Sequence, residues 1–375
     1  MSETIEITKL IYGGNGLGFL AGKAVFVPFV LPGETVEVEI IKQKKNHAFA
    51  RLIKVIEASP NRIKPECPNF QTCGGCDYLH MDYPSEIIGK QEILKENLQR
   101  LAGMKPDDIP LIDTISNERF YYRSHATLKI NEKNQAGFFK KMSKTVTPFP
   151  KEGCRLLCHE LNSGLNNQFS GMSELRATCG TDNQVYFSNK KGAFIREIIG
   201  PLTYDRDIRC FFQANQYLRL AMLECVKKYA DLQEKETFLD FACGVGFFSL
   251  YLAEHCSQGI GIESSPLSIH WAVKNARFNN LKNIQFIKAN TIDNKKLPDA
   301  NVVIADPPRA GLSPETINGI VQLNPRTIVY VSCDPSTFSR DLKIFQNKGY
   351  KLEKLSLIDM FPGTSHIEII SRLDR

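Results

Sequence analysis

From Ile5 to about Ala58 apolar and polar side chains alternate in short runs, IEITKLIY, AVFVPFV, TVEVEII and HAFARLIKVIEA. Gly13-Gly14, Pro32-Gly33 and the polar stretch KQKKN separate them. A period of two is what a strand with one buried face shows, and glycine-rich breaks are turns. Five short strands in so few residues predict a small OB-like barrel over residues 1–60. Pro60 to Pro68 reads as a linker, and SEIIGKQEILKENLQRLAG then repeats its apolar residues at helical spacing up to Gly103. Phe120 to Pro201 holds strand-like pieces such as YYRSHATLKI, so residues 61–205 are expected to form a strand-rich central domain. From about Phe211 apolar runs alternate with helical segments: TFLDFA, SLYLAEHC, GIGIE, SIHWAVKNARFN, IQFIKA, VVIAD, TIVYVSC. That alternation predicts an α/β domain over residues 206–375, with a doubly wound, Rossmann-like parallel sheet and crossover helices.

Composition changes this picture little. The 375 residues are 42% hydrophobic and 23% charged, the balance of a globular protein with material for two or three cores. No apolar run is long enough to cross a bilayer, and the N-terminus lacks the pattern of a secretory signal, so a cytoplasmic protein without a membrane partner is expected. The net charge of +6 is compatible with a polyanionic partner. Lys42, Lys44, Lys45 and His47, with Phe49, sit at a predicted hairpin, where cations meet phosphates and a ring stacks on a base. Eleven cysteines in a reducing compartment read as metal ligands, catalytic thiols or small core residues. Cys67, Cys73 and Cys76 cluster around Gly74-Gly75 at a spacing that suits either a structural zinc or an iron–sulfur cluster, and Cys158 could supply a fourth thiolate.

The run FLDFACGVGFFSLYLA places a buried strand, a glycine turn and a helix in sequence, and Glu263 closes the strand GIGIE about twenty residues on. A carboxylate there can accept hydrogen bonds from both ribose hydroxyls of a nucleoside. The dinucleotide signature is incomplete, since Ser249 stands at the place of its third glycine; S-adenosylmethionine needs no pyrophosphate cradle. Two further strands run into Asp306-Pro307-Pro308-Arg309 and Cys333-Asp334-Pro335, and both ends should face the same crevice. A thiol at this edge suits methylation of carbon 5 of a uracil, a poor nucleophile until a thiolate adds to carbon 6. Cys333 is the candidate, although a small core residue would look the same, and Arg309 or Arg340 is placed to lower its pKa. The base that removes the carbon 5 proton is His366 or Glu368, which share a face if FPGTSHIEII is extended.

These pieces together resemble the bacterial 23S ribosomal RNA and tRNA (uracil-5-)-methyltransferase family over nearly the whole chain. VPFVLPGETVEVEI is similar to a TRAM domain, and the other matching pieces are CPNFQTCGGCDYLH, FFQAN, FACGVGF, GIGIE, ADPPRAGL, VSCDPSTFSRDL and FPGTSHIE. The resemblance implies Cys333 as nucleophile and Glu368, rather than His366, as general base. It implies S-adenosylmethionine contacts at Gln213, Glu263, Asp306 and Asn290. Ala242 and Phe247 lie in the same cofactor loop where the family usually has an aromatic residue and an asparagine. It implies a [4Fe-4S] cluster on Cys67, Cys73, Cys76 and Cys154. The remaining Cys179, Cys210, Cys225, Cys243 and Cys256 are expected to be structural. The expected partner is RNA, with 23S ribosomal RNA ahead of the T-loop uridine of tRNA, bound by a monomer. An RNA cytosine carbon-5 enzyme should carry a second cysteine beside the proline of the DPP motif, and Asp306-Pro307-Pro308 has none.

Overall fold

The computed structural model describes residues 2–165, 169, 171–189, 194–290 and 299–375. Strands β1 (Ser2–Ile11), β2 (Asn15–Leu20), β3 (Lys23–Pro28), β4 (Thr35–Gln43) and β5 (His47–Glu57) close into a barrel in the order β1-β2-β3-β5-β4. Ile5, Ile7, Val25, Val27, Val36, Val38, Ala48 and Ala50 form its core, alternate residues of their strands as the period of two requires.

Asp82 caps helix α1 (Tyr83–Asn97), which runs through a wider turn to Ala102 and stops at Gly103 with φ 72°. Strand β6 (Ile112–Ile115) follows, then a five-stranded sheet of β7 (His125–Ile130), β8 (Ala136–Phe139), β9 (Val146–Pro148), β10 (Glu174–Cys179) and β11 (Val185–Phe187), with helix α2 (His159–Gly164) between β9 and β10. Strands β12 (Phe194–Ile199) and β13 (Leu202–Asp207) pair as a hairpin.

The remainder supplies α3 (Arg219–Ala230), β14 (Thr237–Phe241), α4 (Phe247–Leu252), β15 (Gln258–Glu263), α5 (Pro266–Phe278), β16 (Ile284–Lys288), β17 (Val302–Ala305), α6 (Pro314–Gln322), β18 (Thr327–Ser332), α7 (Pro335–Asn347), β19 (Lys351–Ile358) and β20 (Glu368–Asp374). They form an eight-stranded sheet in the order β16-β15-β14-β17-β18-β20-β19-β6. From β16 to β18 all neighbours are parallel, whereas β20 runs antiparallel to β18 and β19. The strand order reverses between β14 and β17, which is where such sheets open a ligand crevice at their carboxyl edge.

The expected border at residue 205 is crossed by this domain. Strand β6 pairs in parallel with β19, covering what would otherwise be an open sheet edge. Ile93, Leu94 and Leu98 belong to the same buried core as Phe338, Leu342 and Phe345 of α7, because an amphipathic helix needs an apolar surface to cover its stripe. The hairpin β12–β13 docks on α5 through Asn275, whose side chain bonds the backbone N–H and carbonyl of Asp205.

Candidate active site

Three residues of the turn after β14 take positive φ, Ala242 at 64°, Gly244 at 56° and Gly246 at 91°. Glycine adopts this region without strain, and a Cβ at Gly244 would meet nothing within 4 Å, so the crest of the turn is open. The Gly244 N–H donates to the Glu263 carboxylate at 3.1 Å. The other carboxylate oxygen accepts from the Ser265 N–H at 2.8 Å and from the Ser264 hydroxyl at 3.0 Å. Glu263 is thus held at the end of β15, beside a turn that leaves room for a nucleoside. Below it, Asp240 is fully buried with one oxygen bonded to the Ser249 hydroxyl and the other unpaired. Burial, then Glu263, pushes the Asp240 pKa up to about 7, and burial, then Asp240, does the same to Asp306.

Asp306 follows β17 and Asn290 follows β16, so both lie at the carboxyl edge; Asn290 is exposed. Gln213 is buried, and its carbonyl accepts from Arg219 Nε. Its neighbour Phe212 packs edge-on against Phe247, with ring centres 5.5 Å apart. Phe247 also packs on Tyr204, and so its ring closes an apolar cluster where an asparagine would offer a hydrogen bond. Ala242 is half-buried against the core.

Cys333 comes directly after β18, and the antiparallel register pairs Ser332 with Ile369. Glu368, the first residue of β20, therefore starts beside Cys333: a strand in the opposite direction brings its amino end to the edge where parallel strands end. Glu368 is 5% exposed. Burial, then Glu368, raises the Cys333 pKa to about 11, while Arg309 opposes the rise. Burial, then Asp306, holds the Glu368 carboxyl well above the usual range, and Arg309 again opposes it.

The two candidate bases lie in different surroundings. The Arg309 guanidinium lies 3.1 Å from His366 Nδ1 and 3.3 Å from Nε2. Burial, then Arg309, lowers the His366 pKa to about 4, leaving its ring neutral near pH 7. Arg340 is turned away: it pairs with Asp341 and donates to the carbonyls of Ala310 and Leu312. One contact was not legible in the motifs. The Tyr12 hydroxyl, at the end of the barrel strand β1, donates to the Cys333 carbonyl at 3.4 Å.

Cys67, Cys73, Cys76 and Cys154 line one pocket with Phe138, Phe149 and Leu156. Burial pushes the Cys76 thiol well up, and Cys154, Cys73 and Cys67 push it further, in that order. Among the described residues, no three of these four sulfurs lie within 4.8 Å of one another. Cys158 points elsewhere, into the core of the central sheet beside Cys179 and Glu160.

On the barrel, Lys42, Lys44 and Lys45 are exposed, and Phe49 packs on Phe26 and His47 with ring centres 5.5 and 5.3 Å apart. No helix among the described residues is long and apolar enough to cross a membrane.

The family described as tRNA (Uracil-5-)-methyltransferase matches residues 200–375, and the TRAM domain matches residues 3–53. An RNA methyltransferase of Aquifex aeolicus is 32% identical, over 99% of this chain and 98% of its own. A 23S rRNA (uracil(1939)-C(5))-methyltransferase of Shewanella frigidimarina is 30% identical, over 97% of this chain and 94% of its own. Among solved structures, the Pyrococcus abyssi tRNA (uracil-54, C5)-methyltransferase in complex with S-adenosyl-L-homocysteine superposes with a TM-score of 0.75 at 25% identity, covering 100% of both chains.

Proposed function

The chain belongs to the RNA uracil-5-methyltransferase family, and from that premise we propose that it methylates carbon 5 of one uridine in 23S ribosomal RNA, acting as a cytoplasmic monomer. The observation that carries this reading is the register of β18 and β20, which sets a thiol and a buried carboxyl side by side with Arg309 facing both.

Cys333 is the nucleophile. Its sulfur forms a bond to carbon 6 of the uracil, and electron density moves to carbon 5. The Ala242–Gly246 turn with Glu263, Gln213, Asp306 and Asn290 would hold S-adenosylmethionine, which would supply an electrophilic methyl group there. Glu368 takes the proton that carbon 5 still carries. The carbon–sulfur bond then breaks, the electron pair returns to sulfur, and 5-methyluridine leaves. Arg309 favours the charged forms of both Cys333 and Glu368, the thiolate that attacks and the carboxylate that accepts. Cys67, Cys73, Cys76 and Cys154 would hold a [4Fe-4S] cluster, a reading supported by their lining one pocket together.

Ribosomal RNA is favoured because relatives named for it match this chain almost end to end. The Pyrococcus abyssi structure supports the T-loop uridine of tRNA as the second reading. Mass-spectrometric mapping of 5-methyluridine in both RNAs from a strain lacking this protein decides between them. Loss at one ribosomal position is expected, and loss confined to tRNA would replace the first reading by the second. Cys333→Ala should abolish methyl transfer and the covalent adduct with 5-fluorouridine RNA; turnover near wild type would overturn the mechanism. Glu368→Gln should let the methylated adduct accumulate.

A further inference from the structure

Resting on that reading, we propose that Asp77 is a positioning residue: it fastens the segment that carries Glu368 to the cysteine-cluster loop. Asp77 directly follows Cys76. The backbone N–H groups of Asp77 and Tyr78 both donate to the Gly363 carbonyl, at 2.9 and 3.0 Å. Asp77 Oδ2 accepts from the Ser365 N–H at 2.9 Å, and Oδ1 accepts from Lys141 Nζ at 2.7 Å. Glu368 lies three residues past Ser365.

The segment between β19 and β20 has no ladder of its own, so its place depends on what its backbone groups bond. Gly363 takes φ 76°, a backbone conformation that glycine adopts without strain and other residues rarely do. Tyr122 from the central domain donates to the Pro362 carbonyl at 3.0 Å. The Lys141 ammonium that pairs with Asp77 lies 4.6 Å from the centre of the Phe29 ring, on the barrel. Barrel, central domain and catalytic sheet thus meet at one carboxylate.

Proton abstraction at carbon 5 needs the Glu368 oxygen within hydrogen-bond reach of one C–H bond, so a loosened segment should slow that step more than the attack of Cys333. The test compares Asp77→Ala, which removes the acceptor for Ser365, with Asp77→Asn, which keeps an oxygen there but removes the charge facing Lys141. Asp77→Ala should retain wild-type iron content and KM for RNA, yet release product about tenfold more slowly, since displacements near 1 Å cost up to about a hundredfold. The methylated covalent complex should accumulate on denaturing gels, and amide exchange should rise at Ser365 and His366. Asp77→Asn should recover most of the rate.

Product release from Asp77→Ala at the wild-type rate would overturn the proposal. So would an equal loss of every step together with iron, which marks a structural role, or an Asp77→Asn rate as slow as Asp77→Ala, which assigns the effect to Lys141. Wild-type protein that forms no adduct with 5-fluorouridine RNA would instead count against the Cys333 mechanism.

Discussion

Burial raises the Cys333 pKa to about 11, and Arg309 is the cation that opposes this rise. The thiolate fraction below the pKa grows about tenfold per pH unit, so trapping of 5-fluorouridine RNA should accelerate as pH rises towards that value. Arg309→Met removes the opposing charge and moves the thiol pKa further up. Its trapping profile should shift to the alkaline side by about one unit, with adduct formation about tenfold slower at a fixed pH below the pKa. Coincident profiles would remove Arg309 from this role. Cys333, Arg309 and Asp306 could be placed at one edge from the sequence because each stands at a strand end within a short motif. The choice of Glu368 over His366 was not legible from spacing, which gives both the same face; it came from the family likeness. In the structure His366 lies against the Arg309 guanidinium, while Glu368 is buried beside Cys333. Tyr12 and Asp77 were hidden for a different reason: each lies hundreds of residues from the group it bonds.

The elements followed their patterns where one face is buried. Alternation marked the barrel strands, and continuous apolar runs marked β14, β17 and β18, which are covered on both sides. Helix α1 was legible as a helix but not as part of the catalytic domain. Its Lys90 shows why, since a lysine in a helical pattern reads as solvent-facing, whereas this one has no exposed side chain. Its ammonium bonds Glu86 at 2.8 Å and Asp359 at 2.7 Å, and Glu86 also accepts from Arg119 and the Gly363 N–H. Lys90→Met would leave two buried carboxylates facing each other with Arg119 as their remaining cation, and removing one partner of a buried pair costs about 3–5 kcal/mol. Urea unfolding of Lys90→Met should show a loss of that size. A loss below about 1 kcal/mol would mean that the network contributes little to stability.

At the scale of the whole molecule, the cysteine pocket and the barrel flank one catalytic edge. Cys154 faces the pocket and Cys158 faces the central core, so Cys154→Ser should lose iron on anaerobic purification while Cys158→Ser keeps it. The reverse outcome, or zinc in place of iron in the wild type, would overturn the ligand set. The barrel makes a separate demand. Tyr12 ties it to the Cys333 loop, and its lysines stand with the Phe26, His47 and Phe49 rings at the β4–β5 hairpin. If these lysines meet phosphates, each neutralised contact releases counterions and steepens the dependence of binding on salt, by about 0.7 per contact for a single strand. Replacing Lys42, Lys44 and Lys45 by alanine should weaken RNA binding and reduce the slope of log affinity against log salt by about two. The three side chains are exposed and bond nothing in the catalytic edge, so turnover at saturating RNA should stay at the wild-type rate. An unchanged salt slope would mean that the RNA approaches Cys333 by a path that leaves this hairpin in solvent.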